Sequence, residues 1–351
     1  MFKTFCRPLR YTALSVLAAS SLAQAEEQYK IAWTIYAGTM PLGYAQDHGI
    51  LAKWGDKYGF DLQAVQLNDY IEAQTQFAAG TFDGSVAITL DALTIPAASG
   101  VDTTVLLPMS TSVGSDAIVM RGQNATLQDI KGKRVNLVEL SGSHYMLARA
   151  LGSVGLSEQD VTVVNTSDAD IASIFTDDST EVVATWKPQL SQILNQFDDT
   201  TVVFDSADIR GEIVDGLIVH SDTLKREPNL GKAIAGAWYE TTAMLDPKHP
   251  EHDGFVAYMA GQLNTNAQDL RSQLSTIEFF SAQEGVDYVT SAEFGNTMQN
   301  ITSFAFEHGL LGEGAPNASF IGIETGTGEV IGSNNNVKLR FATQWMQEAA
   351  E

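Results

Sequence analysis

Residues 28–67, QYKIAWTIYAGTMPLGYAQDHGILAKWGDKYGFDLQAVQL, contain the pattern that decides the fold. Residues 28–35 and 60–67 read as two strands, and residues 43–59 between them place apolar side chains at helical spacing. This strand–helix–strand order predicts a parallel pair of strands with the helix on one face of the sheet. The loop before the helix carries Trp33 and Tyr36, although a loop has little core in which to bury aromatic rings.

The same alternation continues along the chain and then restarts, which predicts an α/β protein with two lobes. From about Asn229 onward the pattern is mostly helical. We expect each lobe to be a mainly parallel sheet flanked by helices, with two crossing strands near VGSDAIV (113–119) and GEIVDGLIV (211–219). The predicted domains are residues 1–25 as a signal peptide, residues 26–116 and 215–351 as a discontinuous lobe 1, and residues 117–214 as lobe 2.

The first 25 residues have the composition of a secretory signal peptide. A basic start precedes an apolar run that is too short to span a bilayer and that ends in a small-x-small cleavage pattern. Cys6, the only cysteine, leaves with this segment, and no later cysteine is present to carry a lipid. Loss of Lys3, Arg7 and Arg10 takes the formal net charge from −23 to −26. Such an acidic chain is not expected to bind nucleic acid or an anionic membrane.

Candidate binding residues lie at the carboxyl ends of the predicted strands, where ligands bind in open α/β sheets. They are aromatic, acidic or hydroxyl-bearing side chains and one histidine: Trp33, Tyr36, Asp69, Asp91, Asp116, Glu139, Ser141, His144, Trp186 and Glu212. Some have simpler explanations. Asp69, Asp91 and Ser141 each fit a helix N-cap, and Trp33 and Tyr36 each fit packing beneath their own loop.

Taken together, several acids and several rings favour a planar cation as the ligand. A cation over an aromatic face gains up to about 2 kcal/mol when it is desolvated, and a guanidinium matches a carboxylate with two hydrogen bonds. Lys187, next to Trp186, weakens this argument if its ammonium reaches the cleft. The histidines have no paired zinc spacing and the chain has no GxSxG, P-loop or GxGxxG motif, so we expect no metal, no cofactor and no hydrolase site.

Several stretches together resemble one family over nearly the whole exported chain. They include AWTIYAGTMPLGYA (32–45), VNLVELSGSHYMLARALGSVGLSEQDV (135–161), GEIVDGLIV (211–219) and FEHGLLGEGAP (306–316). The sequence resembles the periplasmic solute-binding proteins of nitrate/sulfonate/taurine-type ABC importers, and within them the branch encoded beside urea carboxylase genes. The resemblance implies a type II periplasmic binding fold and a cargo such as urea, guanidine or a close relative.

The resulting hypothesis is a monomeric periplasmic protein without catalysis. It would close two lobes over a small nitrogen-rich solute, guanidine before urea, and deliver it to a membrane permease and its ATPase. One alternative keeps the binding role but exchanges the cargo for a sulfonate- or nitrate-type anion or a thiamine-pyrimidine precursor. Another is an enzyme, because thiamine-pyrimidine synthases share the architecture, although the signal peptide argues against a cytosolic enzyme.

Overall fold

The computed structural model describes Met1 and residues 27–351. The predicted signal peptide, including Cys6, therefore lies outside the described residues apart from Met1. Within residues 27–351, no helix combines the length and the apolar character needed to cross a bilayer.

Lobe 1 is built on a mixed sheet of nine strands in the order β13-β12-β14-β4-β10-β3-β1-β2, with β11 paired to β4. β1 pairs in parallel with β2, as residues 28–67 predict, and also with β3, as the continuing strand–helix alternation predicts. β10 runs antiparallel to its neighbours β3 and β4, because the chain returns along it from the other lobe. The strands are β1 (Glu27–Thr34), β2 (Phe60–Leu67), β3 (Gly84–Ile88), β4 (Thr103–Ser112), β10 (Val214–His220), β11 (Ile277–Phe279), β12 (Gly322–Glu324), β13 (Val330–Ile331) and β14 (Val337–Phe341).

Lobe 2 is built on a five-stranded sheet in the order β7-β6-β8-β5-β9. Its strands are β5 (Asp116–Arg121), β6 (Arg134–Leu137), β7 (Thr162–Asn165), β8 (Val182–Trp186) and β9 (Thr200–Asp205). The chain crosses between the sheets from β4 to β5 and again from β9 to β10. The exact domain limits given above stay a prediction.

Helices cover the sheets and bury a large apolar core against them. They are α1 (Met40–Asp47), α2 (Ile50–Tyr58), α3 (Tyr70–Ala78), α4 (Thr89–Ala92), α5 (Gly142–Ser153), α6 (Ile171–Ile174), α7 (Gln189–Gln196), α8 (Ser221–Arg226), α9 (Pro228–Thr242), α10 (His252–Gln262), α11 (Ala267–Leu274), α12 (Ala282–Val289), α13 (Ala292–Glu307) and α14 (Gln344–Ala350).

Two features differ from the sequence pattern. The single helix expected over residues 43–59 is divided into α1 and α2, because Gly49 adopts a left-handed φ of 71° that an α-helix does not continue through. The C-terminal third, expected to be mostly helical, also supplies β11–β14. These four strands have only two to five residues each, too few to show a clear alternation.

Candidate functional site

A cavity of about 230 Å³ lies between the two lobes and beside both crossings. Its size suits a small organic molecule rather than a polymer. Its polar and aromatic lining comes from three regions, which are lobe 1 (Thr34, Tyr36, Thr39, Asn68, Tyr70 and Asp91), the crossings (Ser112, Asp116 and Asp215) and lobe 2 (Ser141, Ser143, Asp168, Trp186 and Gln189). The lobes also touch beside it, since a Cβ added to Gly142 would lie 2.8 Å from Cδ1 of Ile88.

Asp91 supplies an acid from the short helix that follows β3. The hydroxyl of Tyr70 accepts the N–H of Ile88 at 2.9 Å and donates to Oδ2 of Asp91 at 2.8 Å, which fixes the carboxyl group. Oδ1 of Asp91 is buried and has no hydrogen-bond partner within residues 27–351. Burial raises the pKa of Asp91 to about 7, although the Tyr70 hydrogen bond opposes the rise. Asp91 therefore lines the cavity with one carboxyl oxygen that has no partner among the described residues.

Asp116 and Asp215 supply one further acid from each crossing. The hydroxyl of Ser112 donates to Oδ2 of Asp116, and that of Ser110 donates to Oδ2 of Asp215 at 3.0 Å. Burial raises the pKa of Asp116 to about 6. It raises that of Asp215 to about 7, helped by the nearby charge of Asp116. Asp215 also raises the pKa of Asp91, so Asp215 interacts with both of the other acids.

Asp91, Asp116 and Asp215 each have a hydroxyl partner and no basic partner within the described part of the chain. Among the described residues that line the cavity there is no Lys, Arg or His. Lys187 is buried, but its ammonium donates to the Thr276 hydroxyl at 3.1 Å and lies 3.4 Å from the carbonyl of Ser272, away from the cavity wall. A buried carboxylate without a cation is unfavourable. The cavity is therefore a site that a cationic ligand would stabilise.

Lobe 2 closes the cavity with an aromatic side chain and further acceptors. Trp186 ends β8 opposite Asp116 in the sheet register, so its indole stands beside an acid. The Ser143 hydroxyl and Oε1 of Gln189 are buried without a hydrogen-bond partner within the described part of the chain. Burial, assisted by the charge of Asp69, raises the pKa of Asp168. The unpaired carbonyl and carboxylate oxygens favour a ligand rich in N–H donors.

Five of the ten predicted residues line this cavity: Tyr36, Asp91, Asp116, Ser141 and Trp186. Their contact with a ligand stays a prediction. Tyr36 faces the cavity and its hydroxyl donates to Oγ of Ser115 at 3.1 Å, so the ring spans from lobe 1 to the crossing. Ser141 also caps α5, since its Oγ accepts the N–H of Ser143.

Trp33 and Asp69 do not lie in the cavity wall. Trp33 is 4% exposed and packs against α1, where a Cβ on Gly43 would be 2.6 Å from its ring. It lies in β1 rather than in the loop expected from the sequence, and its ring belongs to the core of lobe 1. Oδ1 of Asp69 accepts the N–H of Glu72 at 2.7 Å and so caps α3. For both residues the simpler structural explanation describes the side chain.

Glu139, His144 and Glu212 also lie outside the wall. Glu139 is exposed on the loop before α5. His144 is buried on the far side of α5, with Nε2 3.2 Å from Glu158. Both carboxylate oxygens of Glu212 accept hydrogen bonds of 2.8 Å from the guanidinium of Arg149. That side chain is thus occupied by a protein cation.

The structure adds Tyr70, Asp168, Gln189 and Asp215 to the wall. Asp215 had a visible signal, an acid at the start of a predicted crossing strand. Tyr70 follows β2 and is the first residue of α3, a position where ligand contacts are common. Asp168 and Gln189 lie in lobe 2, and whether their side chains reach the cavity depends on how lobe 2 is placed against lobe 1. No local pattern identifies such residues.

Comparison with known proteins gives one family match. The model of the family described as NMT1/THI5 like matches residues 44–251, which is more than half of the chain. No curated protein matches the sequence.

Solved structures with the same fold include several binding proteins. The alkanesulfonate-binding protein SsuA from Xanthomonas axonopodis pv. citri, bound to MOPS, superposes with a TM-score of 0.67 at 17% identity, over 82% of this chain and 96% of that one. The periplasmic aliphatic sulphonate binding protein SsuA from Escherichia coli gives 0.66 at 19%, over 82% and 89%. The periplasmic nitrate-binding protein NrtA from Synechocystis PCC 6803 gives 0.62 at 13%, over 93% and 89%. The predicted two-lobed α/β fold is confirmed.

Proposed function

We propose a transport function for this chain, which belongs to the NMT1/THI5-like family. In this proposal it is the periplasmic solute-binding component of an ABC importer and delivers its cargo to a permease with an ATPase. The cargo is a small nitrogen-rich cation, with guanidinium favoured and urea next. The observation that carries the proposal is the set of three buried carboxyl groups in a cavity whose described lining contains no basic side chain.

The physical argument rests on charge and on hydrogen-bond direction. Three carboxyl groups at low local dielectric repel one another and lose hydration, and a cation relieves both effects. Each acid receives a hydrogen bond from a neutral hydroxyl at one oxygen, which leaves the other oxygen for the ligand. A planar guanidinium offers N–H donors in a plane and fits beside an indole ring. Urea has similar N–H donors but is neutral, so it cannot compensate the charge of the carboxylates.

Capture follows from the position of the cavity. Asp91 lies in lobe 1, Asp116 and Asp215 on the crossings, and Trp186 and Gln189 in lobe 2. A ligand that contacts all of these groups binds the closed arrangement better than an open one and shifts the population towards closure. This role requires no chemical step, so we propose binding rather than catalysis.

A second candidate is an anionic cargo. It is favoured by the N-terminus of α5, because Ser141, Gly142 and Ser143 line the cavity and a helix N-terminus attracts anions. The sulfonate- and nitrate-binding proteins of the same fold make this the natural competitor. The three acids argue against it, since an anion beside them would add to the repulsion.

Calorimetric titration separates the two candidates. The purified protein is titrated at pH 8 with guanidinium chloride, urea, taurine and sodium nitrate, using sodium chloride as the salt control. We expect guanidinium to bind most tightly, urea more weakly, and the anions not at all. Binding of nitrate or taurine in the absence of guanidinium binding would reverse the proposed charge preference.

A further inference from the structure

Helix α13 contacts both lobes and contributes no residue to the described cavity wall. Near its start, the ring of Phe294 packs against Phe341 of β14 with centroids 4.6 Å apart, which anchors it to lobe 1. Near its end, the ring of Phe304 packs against Tyr145 of α5 at 5.3 Å, in lobe 2. Any change in the angle between the lobes must therefore alter the packing contacts at one end of this helix.

Three ionisable side chains meet where α13 reaches lobe 2. Nε2 of His308, just after the helix, lies 2.9 and 3.0 Å from the two carboxylate oxygens of Glu158. Nε2 of His144, on α5, lies 3.2 Å from Oε2 of the same carboxylate. Glu158 and His144 belong to lobe 2, whereas His308 follows the helix anchored on lobe 1. One carboxylate thus joins a histidine from each side.

The neighbouring backbone groups assign the protons. Nδ1 of His308 lies 2.9 Å from the carbonyl of Phe304, so it must carry a proton to donate. Because Nε2 of His308 also faces a carboxylate, the ring makes both hydrogen bonds only as the imidazolium. Nδ1 of His144 accepts the N–H of Leu140 at 3.0 Å, so the proton of the neutral His144 ring is on Nε2 and points to Glu158.

These proton positions argue against a divalent metal at the same place. The nitrogen and carboxylate oxygen atoms of His144, Glu158 and His308 that could bind a metal all lie within 4.8 Å of one another. A metal on Nε2 of His144 would need the lone pair of that nitrogen while Nδ1 continues to accept the N–H of Leu140. Only an imidazolate offers both lone pairs, and a neutral imidazole does not.

We propose that His308, Glu158 and His144 form a proton-dependent clasp that holds the two lobes in the closed arrangement. The clasp is complete when Glu158 is charged and His308 is protonated. It adds an interlobe ion pair that is independent of any cargo in the cavity.

The charges around the clasp define its pH range. Burial lowers the pKa of His308, but the hydrogen bonds and charge of Glu158, together with Glu307 on its own helix, outweigh burial and raise it. Burial raises the pKa of Glu158, but His144 and His308 outweigh it and hold the pKa below its usual value. A raised histidine pKa gives stabilisation that is present in mild acid and is lost as the pH rises through that pKa. The clasp therefore favours closure below the raised pKa of His308 and above the lowered pKa of Glu158.

Single-molecule energy transfer on the cargo-free protein tests the clasp. Asp56→Cys in lobe 1 and Asp178→Cys in lobe 2 place two dyes at exposed positions, and the exported sequence contains no other cysteine. The closed-to-open ratio is measured from pH 6 to pH 9 in the labelled parent protein, in His308→Gln and in Glu158→Gln. His249→Gln, a partly exposed histidine in another part of lobe 1, is the matched control. Circular dichroism establishes that each variant is folded.

We expect the closed-to-open ratio of the parent to fall with rising pH. The fall should be about tenfold for each unit by which the pKa of His308 is higher in the closed arrangement than in the open one. The cavity carboxyls also ionise in this range and favour opening, so a residual slope remains in the variants. The contribution of the clasp is the difference in pH dependence of the closed-to-open ratio between the parent and His308→Gln. Glu158→Gln should show the same pH dependence as His308→Gln. Parallel curves for the parent and His308→Gln would overturn the proposal. So would closure that requires micromolar zinc and is abolished by a chelator, since that indicates a metal site. Cargo is absent throughout, so the result is independent of which solute the cavity binds.

Discussion

If the cavity binds a cation through buried carboxylates, guanidinium affinity must increase with pH. Guanidinium keeps its charge throughout the neutral range, because its pKa resembles that of arginine. The cavity acids do not, since burial raises the pKa of Asp91 and Asp215 to about 7 and that of Asp116 to about 6. Titrating these groups, together with the isosteric change Asp91→Asn, tests the charge argument directly.

The magnitude follows from the fraction of carboxylate. A group with a pKa of about 7 is roughly nine-tenths protonated at pH 6 and about one-tenth protonated at pH 8. When only the charged form binds, the association constant scales with that fraction, so Asp91 alone gives an increase of about tenfold between pH 6 and pH 8. Asp215 adds up to a similar factor. We therefore expect an overall increase of about 10- to 100-fold.

In the Asp91→Asn variant, the increase in the association constant that comes from ionisation of Asp91 is lost. The pH dependence should weaken by up to about tenfold over the same range. At pH 8 the variant also loses one charged hydrogen bond, about 1.5–3 kcal/mol, which weakens guanidinium binding by roughly 10- to 150-fold. Tyr70 still has an acceptor in the asparagine, so the local fold should be kept.

The assay is calorimetric titration with guanidinium chloride from pH 6 to pH 8 at constant ionic strength. Glu139→Gln is the matched control, since it removes one acid on an exposed loop outside the cavity wall. Its affinity should stay within about twofold of the parent at every pH, because an exposed charge is well screened. A parent affinity that is flat or decreases with pH would refute the reasoning, because a decrease is the behaviour of an anionic cargo.

Two further predictions concern the ring of the cavity and the packing of lobe 1. Trp186→Leu should weaken guanidinium binding by about 5- to 30-fold, the size of one desolvated cation–π contact, and Trp186→Phe should weaken it less, both by calorimetry. Gly231→Ala should lower the free energy of unfolding by about 1–3 kcal/mol in thermal denaturation without ligand, because the new Cβ would lie 2.4–2.7 Å from the Trp345 ring. Gly295→Ala, a helical position with no atom within 4 Å of the new Cβ, should instead raise it by roughly 0.5–1 kcal/mol.

Sequence patterns predicted the fold well because its main elements depend on local signals. The parallel pairing of β1 with β2 and β3 follows from strand–helix–strand alternation, and Asp116 and Asp215 lie beside crossings that the pattern indicates. Tyr36 and Trp186, which lie at or just after the carboxyl ends of predicted strands, do line the cavity.

The remaining errors arise where side-chain direction depends on distant parts of the chain. Trp33 near the end of β1 and Tyr36 just after it are only three residues apart, yet Trp33 packs against α1 and Tyr36 faces the cavity. Glu212 looks like an available acid until α5 brings Arg149 to it from 63 positions earlier in the sequence. Lys187 looks like a cavity cation until residues 272–276 supply its acceptors. Each outcome depends on tertiary contacts that the local sequence does not contain.

The choice of hydroxyls as partners for the cavity acids bears on selectivity. Had Asp91, Asp116 or Asp215 been paired with a lysine or arginine, the carboxylate would already be neutralised and a cationic ligand would gain little. The partners are instead Tyr70, Ser112 and Ser110. A neutral hydroxyl orients a carboxyl group and occupies one oxygen while leaving the charge available. A neutral ligand such as urea gains the hydrogen bonds but not the charge compensation, so the preference for guanidinium over urea depends on how fully these acids are ionised.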